Sequence, residues 1–144
     1  MSDIPARLRR LVLRRAGARC EYCGLSQEGQ EASFHVDHIV PKAAQGPTRA
    51  DNLALACVSC SLRKVARRSA VDPMGGRKVA LFHPRRQRWR DHFRWAGVRI
   101  LGLTPTGRAT VSALRMNRPL ILAIREEEAL RNRYPPAIGA KHHL

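Results

Sequence analysis

The chain contains few aromatic residues, few acidic residues and few cysteines. Of its 144 residues, 5% are aromatic, 11 are Asp or Glu, and 4 are Cys. No segment approaches 18 uninterrupted apolar residues, which excludes an ordinary membrane-spanning helix. The length excludes large α/β scaffolds and long repeat arrays, and it suits about one domain. A hydrophobic content of 44% excludes a wholly disordered chain.

Basic residues far outnumber acidic ones. The chain has 27 Lys and Arg residues and a formal net charge of +16. Residues 61–118 and 1–20 are strongly basic, whereas residues 21–60 lean acidic. We expect nucleic acid as the partner, because each phosphate that a basic surface neutralises releases counterions. An anionic membrane surface is the main alternative, and a solvated basic face of an Arg-rich composition is another.

Helix caps, turns and apolar spacing predict a mixed α+β protein. The first predicted helix has Pro5 in its first turn and Ser2 or Asp3 as its cap. Further helices are predicted at 61–69, at 104–116 and in the segment after Asn117. A strand is predicted at 33–40, a short apolar segment at 52–56, a linker or hairpin turn at 70–78 and a hairpin at 92–103.

Turn-forming residues interrupt the chain just after position 72, where Pro73, Gly75 and Gly76 follow one another closely. We therefore predict a core unit over 1–72 and a smaller C-terminal extension, made of a hairpin and helices, over 73–144. Residues 135–144 are expected to fray.

All four cysteines fall in two Cys-x-x-Cys pairs, Cys20 with Cys23 and Cys57 with Cys60. Each pair places two sulfurs on one side of a tight turn, and two facing pairs form a tetrahedral site for structural zinc. Two disulfides, or a redox motif, are the alternatives. The N-terminal segment is basic and lacks a long apolar run, so we expect no secretory leader and a cytoplasmic location. Disulfides are rare there.

Two histidines and an acid lie close together between the cysteine pairs, at His35, Asp37 and His38. Neighbouring residues of a regular strand point to opposite faces, so Asp37 and His38 reach one site only where the strand ends, near Pro41. A carboxylate can ligate Mg²⁺, and an imidazole can take a proton from water near neutral pH. Phosphodiester hydrolysis needs both groups. The alternative is a surface strand whose histidines only pack or bind stray metal.

The ordered motifs resemble those of the HNH endonucleases. They read Cys-x-Tyr-Cys-Gly, His-Val-Asp-His-Ile-Val-Pro-Lys, Asp-Asn-Leu and Ala-Cys-x-x-Cys-x-x-Arg-Lys, all within 19–64. The segments Leu-Phe-x-Pro-Arg-x-x-x-Trp and Thr-Gly-Arg-Ala-Thr-Val are similar to the tail of a bacterial HNH subgroup. The resemblance implies a small ββα-metal core stapled by a four-cysteine zinc site.

The resemblance also implies roles for individual residues. Asp37 resembles the metal-binding acid, His38 the general base, and Asn52 the residue that holds the loop and orients His38. Ser61 departs from the pattern, because the family usually has Asn or His there as a second metal ligand. A serine hydroxyl is a shorter ligand, and His35, on the same strand face as Asp37, is a candidate to compensate. We expect Ser61 to lower metal affinity without abolishing activity.

Basic residues flank this proposed site. In a helix over 61–69, Arg63 and Arg67, like Lys64 and Arg68, would form a basic edge at a spacing of four residues. Such an edge would hold phosphates beside the scissile one and carry little sequence information. Arg108, at the start of a predicted helix, is a further phosphate candidate. The predicted nucleic-acid contacts are Lys42, Arg63, Lys64, Arg67 and Arg68.

These observations predict an endonuclease that cuts DNA with Mg²⁺ or Mn²⁺ and carries structural zinc. One metal site cuts one strand, so a monomer should nick and a homodimer would make paired cuts. Two alternatives stay open at this point. One is a zinc-containing module that binds nucleic acid but cleaves weakly or not at all because of Ser61, and the other is a nuclease acting on RNA.

Overall fold

The computed structural model describes residues 4–136. The cap predicted at Ser2 or Asp3 and most of the segment predicted to fray lie outside this range. The protein is a small mixed α+β domain with hairpins, an N-terminal helix and C-terminal helices. Its helices are α1 Ala6–Arg15, α2 Val58–Lys64, α3 Trp89–His92, α4 Pro105–Ala113 and α5 Pro119–Leu130. Its strands are β1 His35–His38, β2 Leu53–Ala56, β3 Ser69–Val71, β4 Lys78–Ala80, β5 Phe93–Ala96 and β6 Arg99–Gly102.

Strands β1 and β2 pair antiparallel and lead directly into α2, which gives a ββα unit. The register places Asp37 opposite Ala54 and His38 opposite Leu53. All four residues of β2 are buried, which explains why that strand is continuously apolar rather than alternating. Two short 3₁₀ turns, Lys42–Ala44 and Ala50–Asn52, lie in the loop that joins the strands.

Helix α2 begins earlier and ends earlier than the helix predicted over 61–69, so those bounds are wrong. It begins at Val58, because the Cys57 sulfur accepts a hydrogen bond from the Cys60 amide and caps the first turn. It ends at Lys64, since Val65 has a φ of 49°, a left-handed conformation that a β-branched residue rarely adopts.

The β5–β6 hairpin and helices α4 and α5 follow the prediction, whereas helix α3 was not predicted and the β3–β4 hairpin crosses the boundary set at position 72. Strands β3 and β4 form one antiparallel hairpin, and β5 and β6 form another around Gly97, whose φ is +61°. The Asn117 side chain, just before α5, bonds both the amide and the carbonyl of Ile100 at 2.8 Å. These two bonds attach the start of α5 to the second hairpin.

One large hydrophobic cluster joins the two parts of the chain. Residues on both sides of the boundary predicted at position 72 contribute to it, including Val12, Leu55, Phe82, Phe93 and Ile121. Trp89 packs against Phe93 in this cluster, and its indole N–H donates to the Tyr22 carbonyl at 2.8 Å. The extension therefore packs directly on the segment that carries the first cysteine pair.

The Arg108 side chain binds another side chain of the protein, Asp72, whereas the sequence had suggested Arg108 as a phosphate contact. Its guanidinium donates two hydrogen bonds of 2.9 Å to the Asp72 carboxylate, which also accepts a bond from the Met74 amide. The hydrogen bonds from Arg108 and the Met74 amide lower the pKa of Asp72 from 3.8 to about 2. The pair links the β3–β4 turn to α4.

Asp72 should make stability depend on pH in acid. Its folded-state pKa is depressed, so its contribution is fully present above about pH 4 and is lost as the pH falls toward 2. We expect the difference in free energy of unfolding between wild type and Asp72→Asn to shrink over that range in urea titrations.

Glu127→Gln is the matched control, because Glu127 pairs with Arg131 on an exposed face of α5. Exposed pairs of this kind contribute little, so this substitution should leave the acid profile unchanged. A constant difference between wild type and Asp72→Asn from pH 5 to 2 would contradict the assignment.

Candidate metal centre and active site

The four cysteines come together in one buried cluster. Their sulfur atoms all lie within 4.8 Å of one another, and none is in a disulfide. Cys20 and Cys23 form a tight turn, while Cys57 and Cys60 lie at the start of α2. In both pairs the amide of the second cysteine donates to the sulfur of the first at 3.4 Å. The cluster thus bridges the two ends of the 20–60 segment.

This donor set fits zinc. Tetrahedral coordination with a zinc–sulfur distance of about 2.3 Å separates the sulfurs by about 3.8 Å. The Cys23 and Cys57 sulfurs are 3.7 Å apart. Burial raises the pKa of the Cys20 thiol, and thiolates buried in this way need a cation nearby. The four buried, clustered cysteines suggest a structural zinc site.

One face of β1 carries His35 and Asp37, which are two residues apart. The His35 Nδ1 atom lies 2.8 Å from the Ser61 hydroxyl on α2, so this face meets the N-terminal half of that helix. The Asp37 carboxylate accepts no hydrogen bond within residues 4–136 and is half-buried. The structure therefore brings a carboxylate, an imidazole and a hydroxyl to the same side of the hairpin.

Lys64 lies on this side too, three residues after Ser61 on the same face of α2. Its side chain is buried, with a relative exposure of 3%, and its ammonium donates to the Ile39 carbonyl at 3.1 Å. Burial lowers the pKa of Lys64, and the charge of Asp37 partly opposes that shift. Asp37 thus has a buried cation in its neighbourhood.

His38, the next residue after Asp37, has a different partner. Its Nε2 atom lies 2.9 Å from the hydroxyl of Thr48, in the loop between β1 and β2. No hydrogen bond joins Asp37 to His38 in the part of the chain that the structure describes. The contact with the Thr48 hydroxyl orients the imidazole ring, and either atom of the pair can be the donor.

Asn52 holds the loop that carries Thr48. Its side-chain oxygen accepts from the Val40 amide at 2.9 Å, and its side-chain nitrogen donates to the carbonyls of Val40 and Pro47 at 3.1 and 2.9 Å. Its own carbonyl accepts from the Ile39 amide. These bonds tie Asn52 to the start of the loop and to Pro47, the residue before Thr48, so the buried Asn52 fixes the loop from which Thr48 contacts His38.

The predicted basic edge on one helix is wrong in its geometry. Arg67 and Arg68 lie beyond the end of α2, and Lys64 is buried rather than presented to solvent. Arg63 is half-buried and donates to Ser59 Oγ at 3.2 Å, whereas Lys42 is exposed in the first 3₁₀ turn. The helix stops early, and an early stop removes the spacing of four residues on which the edge depended.

Sequence reasoning missed Thr48 as the partner of His38 and missed the buried setting of Lys64. The spacing of three residues between Ser61 and Lys64 could have indicated that Lys64 lies on the same helix face as Ser61, next to the proposed site. Thr48 gave none, because it lies ten residues from His38 in an aperiodic loop and only the fold of that loop brings them together.

Gly46 lies where this loop folds back on itself. A methyl group there would overlap the Val40 carbonyl and crowd the Asn52 side-chain nitrogen. We expect Gly46→Ala to lower the free energy of unfolding by about 1–3 kcal/mol in urea titrations. The neighbouring Gln45 has a φ of 65°, so Gln45→Gly should leave stability unchanged or raise it. An unchanged urea midpoint for Gly46→Ala would contradict this account of the loop.

Comparison with known proteins identified a family for this part of the chain. Residues 20–67 match the family model described as HNH endonuclease. This range contains both cysteine pairs and the whole ββα unit, and a nuclease family of this kind implies a nucleic-acid substrate. No curated protein and no solved structure matched the chain. Among the described residues no helix has the length and apolar character that a bilayer crossing requires.

Proposed function

We propose that this protein, whose residues 20–67 belong to the HNH endonuclease family, is a metal-dependent endonuclease that hydrolyses DNA phosphodiester bonds. Membership of this family implies a phosphodiester hydrolase. The observation that carries the finer proposal is the ββα unit. Its first strand, β1, ends with Asp37 and His38, and along the chain this strand lies between the two cysteine pairs of the buried thiol cluster. The net charge of +16 supports a polyanionic substrate.

His38 is proposed as the general base. In the tautomer whose Nε2–H donates to the Thr48 hydroxyl, Nδ1 is the nitrogen that takes the proton from the attacking water. Asn52 acts as a positioning residue, because its three side-chain bonds hold the loop from which Thr48 contacts the ring. Neither role requires His38 to change its strand position.

Asp37 is proposed as the ligand of a divalent cation, Mg²⁺ or Mn²⁺. A bound ion of this type neutralises charge on the scissile phosphate and the leaving oxygen. The carboxylate suits this role because it is half-buried and accepts no hydrogen bond from the described residues. His35 and Ser61, in contact at 2.8 Å on the same side, are the candidate additional ligands.

Arg63, Arg67, Arg68 and Lys42 are proposed to contact phosphates that flank the scissile bond. They lie at or beyond the end of α2 and in the loop after β1, on the elements that adjoin the proposed site. Lys64 is set apart from them, since its ammonium is buried against the Ile39 carbonyl. One such site cuts one strand, so a monomer nicks and two copies are needed for paired cuts.

Loss of His38 is the direct test of the base. We expect His38→Ala to reduce Mg²⁺-dependent nicking of supercoiled plasmid about 10²- to 10⁴-fold, with EDTA abolishing cleavage by wild type. His92→Ala is the matched control, because His92 also bonds a threonine hydroxyl through one ring nitrogen, at 2.6 Å, but lies outside the family-matched segment. Its cleavage rate should stay at the wild-type value.

Three results would redirect the proposal. Equal cleavage by His38→Ala and wild type would exclude His38 as the base. Tight plasmid binding without cleavage would favour a non-cleaving module that binds nucleic acid. This alternative is supported by the serine that the chain has at position 61, which contacts His35. Cleavage of a single-stranded or structured RNA in preference to DNA would assign the RNA substrate instead.

Ser61 should set the metal requirement. An asparagine side chain reaches further than a serine hydroxyl, so we expect Ser61→Asn to lower the Mg²⁺ concentration for half-maximal nicking. His35→Ala should raise that concentration, since it removes the neighbouring imidazole. Leu62→Asn, at an exposed position of the same helix, is the control and should change neither value. An unchanged metal requirement and rate in Ser61→Asn would show that position 61 does not reach the cation.

A further inference from the structure

Arg15, the last residue of α1, reaches across to the segment that ends the β1–β2 loop. Its two terminal guanidinium nitrogens donate to the carbonyls of Ala50 and Leu53 at 3.0 and 2.8 Å. These carbonyls belong to the first residue of the 3₁₀ turn Ala50–Asn52 and to the residue that directly follows the turn. The guanidinium therefore spans the whole turn, from a helix that lies outside the family-matched segment.

The charge of Arg15 is not what docks α1 on the domain. Val12 and Ala16 are fully buried and pack with Leu55 in the large hydrophobic cluster. Arg15 itself is half-buried, forms no ion pair within residues 4–136, and has a buried Nε without a hydrogen-bond partner. Burying part of a cation against neutral carbonyls costs free energy. An apolar side chain would dock the helix at lower cost, so the two bonds to the turn are what distinguishes an arginine at this position.

The turn that Arg15 spans anchors the loop of the proposed active site. Asn52, its last residue, donates from its side chain to the carbonyl of the residue before Thr48, at 2.9 Å. The Thr48 hydroxyl lies 2.9 Å from the Nε2 atom of His38. Leu53, whose carbonyl binds the guanidinium, is also the cross-strand partner of His38 in the β1–β2 register. Two short routes of contact therefore lead from the guanidinium to the imidazole.

We propose that Arg15 is a positioning residue for the active site. Its guanidinium fixes the Ala50–Asn52 turn and, through Asn52 and Thr48, the orientation of the His38 ring. The N-terminal helix then supports catalysis without contacting the substrate. The inference rests on the proposed function, in which His38 is the general base. Misplacing a reacting group by about 1 Å can slow a reaction about 100-fold, so a residue remote from the substrate can control the rate.

Nicking of supercoiled plasmid by the full-length protein at saturating Mg²⁺ tests the proposal. We expect Arg15→Ala to lower kcat about 10- to 100-fold and to leave KM for plasmid within about 2-fold. Arg15→Lys should fall between Arg15→Ala and wild type, because an ammonium does not reproduce the planar fork that spans two carbonyls. Arg14→Ala is the matched control, since Arg14 is exposed on the same helix, and should keep the wild-type kcat. A wild-type kcat in Arg15→Ala, or a loss confined to KM, would overturn the proposal.

A double-mutant cycle with Thr48→Val separates positioning from a merely structural role. If Arg15 acts through Thr48, Arg15→Ala should lower kcat less than about 3-fold in the Thr48→Val background, because the contact that it positions is already lost. A structural role lowers the folded fraction and predicts the same loss in both backgrounds, a result that would overturn the proposal. If Arg15→Ala does not fold, Arg15→Lys replaces it in the cycle, and equal losses in the two backgrounds, or no loss in either, would overturn the proposal.

The imidazole of His38 gives a readout that does not depend on cleavage. We expect Arg15→Ala to shift the NMR signals of the His38 ring, as Thr48→Val does, and Arg14→Ala to leave them in place. Unchanged ring signals in folded Arg15→Ala would overturn the inference whatever the cleavage rates are. A wild type that cleaves no plasmid would reject the proposed function instead, and the ring signals would then decide whether Arg15 positions His38.

Discussion

Four thiols within 4.8 Å of one another hold the architecture of this protein together. They join a tight turn near the N-terminus to the first turn of α2, so the chain between Cys23 and Cys57 forms a closed loop. The β1–β2 hairpin lies inside that loop, and its first strand carries the acid and the imidazole of the proposed active site. A small core cannot easily enforce such placement by packing alone, and four clustered cysteines of the kind that hold structural zinc suit the missing constraint.

The C-terminal extension reinforces the same region from outside. Arg85 pairs with Glu21 inside the first cysteine turn, and Glu21 also accepts from the Leu55 amide at 2.9 Å in β2. Trp89 donates to the Tyr22 carbonyl in that turn, and its ring packs against Trp95. The extension therefore packs against the segment that carries the first cysteine pair, and the groups of the proposed active site lie on β1 and α2.

Much of this organisation could be predicted because it depends on local chemistry. The Cys-x-x-Cys spacing, the break at Pro41, the turn at Gly97 and the proline starts of α4 and α5 each act within a few residues. The bounds of α2 were harder to predict, since its cap is a cysteine sulfur and its end is a strained Val65. The environment of Lys64 was not predictable either, because a charged residue is normally exposed and only the neighbouring Ile39 carbonyl and Asp37 make burial tolerable.

The sequence by itself determined the two cysteine pairs, the order of most helices and strands, and the match of residues 20–67 to the HNH endonuclease family model, because each of these depends on spacings of a few residues. The tertiary structure alone decided which partners those residues meet. It paired His35 with Ser61, His38 with Thr48, and Arg108 with Asp72. It also buried Arg125 of α5. The three contacts join residues 10 to 36 positions apart, so they depend on how the core closes and leave no periodic signal along the chain.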